Sequence, residues 1–134
     1  MNGNAMAPEP PVRMRRILVV EDEAVIAGLI ADMLAADGHE VDTAPNGLLA
    51  LTKIQEASYD LIVSDMRMPE LDGKGLYREL ANRRPELLGK FLFITGTAQE
   101  PANRRFLEET GVPYLPKPFS MEHLHRVTQR ILAA

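Results

Sequence analysis

Cysteine is absent from all 134 residues, which excludes disulfide scaffolds, thiolate metal sites and cysteine nucleophiles at once. A basic excess is missing too: 15 Lys and Arg stand against 19 Asp and Glu, for a net charge of -4. That balance offers no general attraction to nucleic acid or to an anionic membrane surface. No apolar run approaches the roughly 18 residues that a membrane helix needs. The amino-terminal segment carries arginines and prolines but not the apolar stretch of a signal peptide. No glycine-rich phosphate loop follows the first apolar run, where Glu21-Asp22-Glu23 stands instead, so P-loop and dinucleotide sites are set aside. A chain without cysteine is compatible with a reducing compartment, and a cytoplasmic location is the expectation.

What is present suits one packed domain. Hydrophobic residues make up 46% of the chain and charged residues 25%, enough apolar material for a single core at this length. Residues 1–14 contain Pro8, Pro10 and Pro11 without an apolar pattern, and are expected to be a tail or linker. The domain is expected to occupy residues 15–134.

Within it, short apolar runs alternate with stretches of helical periodicity. Ile17-Leu18-Val19-Val20 is a continuous branched run, the mark of a strand buried on both faces. A helical stripe follows, with Val25, Ile26, Leu29, Ile30, Met33 and Leu34 spaced to line one face, and Gly38 marks its stop. Val41 to Ala44 reads as a second strand, and Asn46-Gly47 opens a helix carrying Leu48, Leu51 and Ile54. Leu61 to Ser64 is a third strand ending at Asp65. The stretch from Met66 to Gly73 reads as a loop, and a helix from about Lys74 to Arg83 closes before Pro85. Phe91 to Ile94 makes a fourth strand ending at Thr95-Gly96. Pro101 fits the first position of a fourth helix, which runs through Phe106 and Leu107 to Gly111. Val112 to Pro116 is a fifth strand, whose prolines suit an edge. Ser120 is placed to cap a last helix with the stripe Met121, Leu124, Val127 and Ile131.

Five strand-then-helix repeats with right-handed crossovers predict an α/β fold: a doubly wound, five-stranded parallel sheet with helices on both faces. Such sheets bind ligands beyond the carboxyl ends of their strands. Glu21 and Asp22 follow the first strand, Asp65 the third, Thr95 the fourth and Lys117 the fifth. Three carboxylates gathered on one rim repel unless a cation or protons compensate. An all-oxygen donor set favours a hard divalent ion, Mg²⁺ first and Mn²⁺ as the alternative. Phosphoryl transfer needs a nucleophile, a charge-neutralising metal and donors for the equatorial oxygens. Asp65 is placed to be the nucleophile, forming an acyl phosphate. Glu21 and Asp22 would hold the metal, directly or through water, with the backbone carbonyl of Arg67 completing the coordination. Thr95 would offer a hydroxyl and Lys117 a charge to the phosphoryl oxygens.

Val19-Val20-Glu21-Asp22-Glu23, Ser64-Asp65-Met66-Arg67-Met68-Pro69, Ile94-Thr95-Gly96 and Lys117-Pro118-Phe119 resemble the motifs of the response-regulator receiver family. Their order and separations match it, and the likeness covers about residues 15 to 134. The resemblance implies a flavodoxin-like (βα)₅ fold. It also implies a phosphoacceptor, not a separate catalyst, loaded by a histidine kinase or a histidine phosphotransfer domain. In the family the threonine turns toward the phosphoryl group and an aromatic residue on the fifth strand swings inward; Tyr114 has that placement. The switched surface would run over residues 98 to 133. Lys117-Pro118 is expected to be a cis peptide, as is usual in the family. Arg67 and Thr97 hold the pocket-edge positions that tune phosphoryl lifetime, and a guanidinium at Arg67 would either screen attacking water or bind a carboxylate. Glu21 is one methylene longer than the commoner Asp. The Phe93 to Thr97 run, with Pro113 to Phe119, resembles receivers attached to hybrid sensor kinases, which implies a covalently attached kinase core.

Taken singly, each feature has a plainer explanation. Glu21 and Asp22 favour a helix start through the dipole, Asp65 and Thr95-Gly96 suit turns, and Lys117 suits an exposed surface. Their joint placement favours a site. Tyr114 reads equally as a packing residue. His39, His123 and His125 show no metal-binding spacing, and Met66 and Met68 read as local packing. A haloacid-dehalogenase-type phosphatase would need a second aspartate two residues after Asp65. Arg67 stands there and cannot act as the general acid. A receiver-like module that no longer accepts phosphate is the other alternative, and it is disfavoured because every acceptor residue is present.

Overall fold

The computed structural model describes residues 15–133. The predicted tail, residues 1–14, lies outside the described residues.

The elements are β1 (Arg16–Val20), α1 (Ala24–Ala36), β2 (Glu40–Ala44), α2 (Gly47–Glu56), β3 (Leu61–Asp65) and α3 (Gly73–Arg83). A 3-10 turn (Pro85–Lys90) precedes β4 (Phe91–Thr95), α4 (Pro101–Thr110), β5 (Tyr114–Pro116) and α5 (Met121–Ala133). The strands form one parallel sheet in the order β2-β1-β3-β4-β5. The expected five-stranded doubly wound fold is present, with β5 on an edge as its prolines required.

Alternation along each strand divides the core. Ile17, Val19, Leu61, Val63, Leu92 and Ile94 pack under Ile30 and Leu34 of α1 and Leu124 and Leu132 of α5. Leu18, Val20, Ile62, Phe91 and Phe93 pack under Ala50 and Ile54 of α2, Leu76 and Leu80 of α3, and Phe106 and Leu107 of α4. Burial on both faces explains why β1, β3 and β4 read as unbroken apolar runs and not as alternating ones.

Local chemistry sets the helix ends. Asn46 accepts a hydrogen bond from the Leu49 N–H (2.9 Å) and Asp72 from the Gly75 N–H (2.8 Å); Ser120 Oγ accepts from the His123 N–H (3.0 Å), as expected of it. Pro101 stands in the first turn of α4, and Gly111 ends that helix in the left-handed conformation at φ 68°.

Some local expectations are corrected. The buried stripe of α1 is narrower than expected: Val25 is 85% and Leu29 53% exposed, while Ala27, Ile30 and Leu34 are buried. Leu48 and Met121 are also exposed. A helix lying on a flat sheet buries a narrow face, so apolar periodicity overestimates the contact. Val112 is buried but precedes the strand. Asp72 caps α3 so that the helix begins at Gly73, inside the stretch read as a loop. The 3-10 turn, which the apolar pattern does not predict, seats Leu87 in the core.

Candidate functional site

The order β2-β1-β3 means that the chain reverses direction of winding between β1 and β3, which opens a crevice above their carboxyl ends. Val20 of β1 pairs with Ser64 of β3, so Glu21 and Asp65 emerge side by side. Carboxylate oxygens of Glu21, Asp22 and Asp65 lie within 4.8 Å of one another. The Met66 to Asp72 loop folds back over Asp65: the Gly73 N–H donates to the Met66 carbonyl at 3.2 Å.

Lys117 reaches this cluster from the far end of β5. Its Nζ lies 3.1 Å from Asp65 Oδ2 and 3.6 Å from Glu21 Oε1. The peptide linking Lys117 to Pro118 is cis, as the family resemblance implied. The other Asp65 oxygen accepts the Arg67 backbone N–H at 3.2 Å. One ammonium thus faces three carboxylates, leaving unneutralised negative charge.

Glu21 is only 3% exposed. Burial pushes its carboxyl up to about 7, opposed by a hydrogen bond from the Glu23 N–H, with the neighbouring Asp65 charge adding to the rise. Partial burial disfavours the Lys117 ammonium, yet the hydrogen bond and charge of Asp65, together with Glu21, carry its pKa above the usual lysine value. A hard divalent ion fits this donor set: oxygen ligands only, clustered and short of positive charge.

An open pocket of about 370 Å³ lies over the cluster, lined by Asp22, Asp65, Arg67, Gly96, Thr97 and Lys117 among others. Thr95 is buried, and its hydroxyl oxygen accepts from the Thr97 N–H at 2.9 Å and lies 3.0 Å from Thr97 Oγ1. The residues of this loop that face the pocket are therefore Gly96 and Thr97, with Thr95 behind them. Tyr114 is 42% exposed and lines a separate groove of about 300 Å³ with Ala98, Arg104 and Leu107. Arg67 has taken one of its two expected courses and binds a carboxylate: its Nη2 donates to both oxygens of Glu100, at 2.9 and 2.8 Å.

Two residues that sequence reasoning passed over belong to this arrangement. Asn103 is buried and its Nδ2 donates to the Thr97 carbonyl at 3.1 Å and to Thr97 Oγ1 at 2.9 Å. A signal existed: Asn103 precedes Phe106 and Leu107 by three and four positions, which sets a polar group on an apolar stripe. Glu100 carried no such signal, since its partner is distant in sequence. The histidines stay outside the pocket. His39 is buried, with its pKa lowered by burial, and His125 pairs with Asp37 at 2.8 Å.

A doubly wound sheet with an acidic cluster, a lysine and a hydroxyl-bearing loop at its switch point defines a signalling receiver. The response regulator receiver domain matches residues 17–129, and the chain belongs to that family. It is 32% identical over 121 residues to the response regulator receiver protein CpdR of Brucella abortus, covering 90% of this chain and 99% of that protein. It is 35% identical over 118 residues to the sensor kinase CckA of the same organism, covering 87% of this chain but only 12% of the kinase. Among solved structures, the receiver domain of sensor histidine kinase PA1611 from Pseudomonas aeruginosa superimposes with a TM-score of 0.80 at 31% identity, over 91% of this chain and all of that one. That structure holds a magnesium ion in its active-site cleft. Vibrio cholerae CheY4 superimposes at 0.79 with 30% identity, covering 89% of this chain and 99% of its own. Relatives thus include both a stand-alone receiver and receivers built into kinases. No helix among the described residues is long and apolar enough to cross a membrane.

Proposed function

We propose that this receiver, spanning residues 15–134 with a tail or linker at 1–14, accepts a phosphoryl group on Asp65 from a phosphohistidine of a histidine kinase or histidine phosphotransfer domain. The observation that carries this reading is the convergence of Glu21, Asp22 and Asp65 within 4.8 Å beside Lys117. A carboxylate oxygen of Asp65 attacks phosphorus, the histidine N–P bond breaks, and its electron pair returns to the imidazole nitrogen, which then takes a proton. The product is an aspartyl phosphate. Mg²⁺, or Mn²⁺ in its place, would be held by Glu21, Asp22, Asp65 and the Arg67 carbonyl, and it supplies neutralisation of the charge on the transferred group. Lys117 moves its ion pair from Asp65 to a phosphoryl oxygen. The Thr95 hydroxyl exchanges Thr97 for another phosphoryl oxygen, and Tyr114 follows it inward from its exposed position.

Exposed apolar side chains stand on α1, the helix that follows the acidic pair. Val25 stands two residues beyond Glu23, which lines the pocket, with Leu29 one turn further along α1. They offer a docking face for the donor protein. Loading then biases the surface formed by residues 98 to 133, read in the cytoplasm by a further domain or by an attached kinase core.

The test is intact mass after incubation with acetyl phosphate or phosphoramidate, with and without Mg²⁺, on wild type and Asp65→Asn. One added phosphate that requires the metal and disappears in the variant is expected. No adduct in wild type under any condition sinks the proposal.

A further inference from the structure

The two loops that bound the pocket are joined by one ion pair, and its geometry is informative. Arg67 is rooted at the acceptor, since its backbone N–H donates to Asp65 Oδ1 at 3.2 Å, and it lines the pocket. Its guanidinium is nevertheless led away to Glu100, on the loop after β4, by two hydrogen bonds from Nη2. Glu100 is the residue immediately before α4, the capping position, yet its side chain makes no capping bond. Helix capping therefore does not account for it. Its backbone is fixed from the other side of the pocket: the Glu100 N–H donates to the Thr97 carbonyl at 3.1 Å. The same carbonyl accepts from Asn103 Nδ2, and Thr97 Oγ1 meets Thr95 Oγ1. The start of α4 is thus tied to the pocket by a neutral link through Thr97 and a charged link through Arg67.

The charged link is the displaceable one. Both side chains are well exposed, 69% for Arg67 and 50% for Glu100, and such pairs are weak and screened by salt. A phosphoryl group on Asp65 presents three strong acceptor oxygens and close to two negative charges, beside the residue that anchors the arginine. Guanidinium binds phosphate and carboxylate oxygens by the same forked geometry, so the two acceptors compete for one donor.

We propose that Glu100 is a positioning residue: it holds Arg67 off Asp65 until a phosphoryl group takes the arginine from it, which ties the start of α4 to the state of the acceptor. The proposal rests on the assignment of Asp65 as phosphoacceptor. Its consequence is that removing the Glu100 charge releases Arg67 and favours the loaded state, and that this gain exists only while Arg67 is present.

The test is a double-mutant cycle on the full chain, with wild type, Glu100→Gln, Arg67→Ala and the pair of substitutions together. Affinity for beryllofluoride is measured in Mg²⁺ by titration of amide resonances. Glu100→Gln is expected to bind about two- to fivefold more tightly than wild type, the range an exposed ion pair supports. In the Arg67→Ala background the same substitution is expected to change nothing. The Arg67 Nε–H resonance should shift on loading in wild type and start nearer its loaded position in Glu100→Gln. Equal or weaker binding by Glu100→Gln overturns the proposal. So does the same gain with and without Arg67, because Glu100 would then act on the pocket by its charge alone. Wild type that binds no beryllofluoride overturns the acceptor assignment itself, and this proposal with it.

Discussion

Gly73 occupies a place where a side chain is not admitted. A Cβ there would collide with the Asp65 carbonyl oxygen and come within 2.9 Å of the Phe93 ring. The first residue of α3 is therefore pressed against the backbone of Asp65, and the absence of a side chain sets how closely the loop closes over it. Gly73→Ala is expected to lose about 1–3 kcal/mol, the usual range for forcing extra volume into a packed site, with a slower gain of phosphate at Asp65. Urea unfolding and adduct mass measure the two effects. Unchanged stability together with an unchanged rate would mean that the loop gives way easily and does not position Asp65. Lys117 matters at this scale as well, because it is the cation hydrogen-bonded to Asp65.

At the scale of the element, α1 is a test of how burial differs from apolar periodicity. Leu34 is fully buried and Leu29 is more than half exposed. Leu34→Ala is expected to cost about 2–5 kcal/mol, and Leu29→Ala less than about 0.5 kcal/mol, read by chemical denaturation. Equal costs for the two would contradict the helix orientation. A second element-scale device pins the edge strand β2 to its neighbour. Asp42 of β2 accepts from the Tyr59 hydroxyl at 2.6 Å and from Arg16 of β1 at 3.0 Å. The Tyr59 hydrogen bond first, and Arg16 after it, hold the Asp42 carboxyl below its ordinary pKa, although partial burial opposes them. Because the folded pKa is the lower one, this stabilisation is present above the unfolded aspartate value, about 3.9, and is lost as pH falls through the folded value. Tyr59→Phe is expected to cost about 1–2 kcal/mol at pH 7, with the difference from wild type narrowing in acid. A constant difference down to low pH would show that packing, not the charged acceptor, carries the effect.

For the molecule as a whole, the acidic pocket is a source of instability that a cation relieves. Three carboxylates at the carboxyl ends of β1 and β3 face one ammonium. A ligand that binds only the folded chain stabilises it by mass action, about 2.7 kcal/mol at a hundredfold excess over its dissociation constant. Mg²⁺ is therefore expected to raise the unfolding temperature of wild type, and to do so much less for Asp22→Asn and Asp65→Asn, as read by thermal melts at fixed ionic strength. Equal shifts in all three chains would assign the effect to general salt screening. The fold also connects distant helices to the pocket at the same scale. Both helices of the far surface are reached from the pocket through short links: α4 through Thr97 and Arg67, and α5 through the Lys117-Pro118-Phe119 segment that follows β5.

Much of this was decided by sequence alone. Unbroken runs such as Leu61 to Ser64 specify strands buried on both faces, and the strand-helix alternation then leaves essentially one handed way to wind the sheet. That topology carries Glu21, Asp22, Asp65 and Lys117 to one rim, because each stands at or just past the end of a strand and parallel strands end on the same side. Periodicity could not settle which apolar residues of α1 meet the sheet, since Val25 and Leu29 satisfy the same spacing as the buried Ile30 and Leu34. Tertiary structure alone decided where flexible polar side chains go. Arg67 chose Glu100, 33 positions away, and Thr95 turned to Thr97, which Asn103 also holds. Strand order and burial follow from short-range patterns of hydrophobicity. Hydrogen-bond partners depend on distances between loops, which exist only once the sheet has brought those loops together.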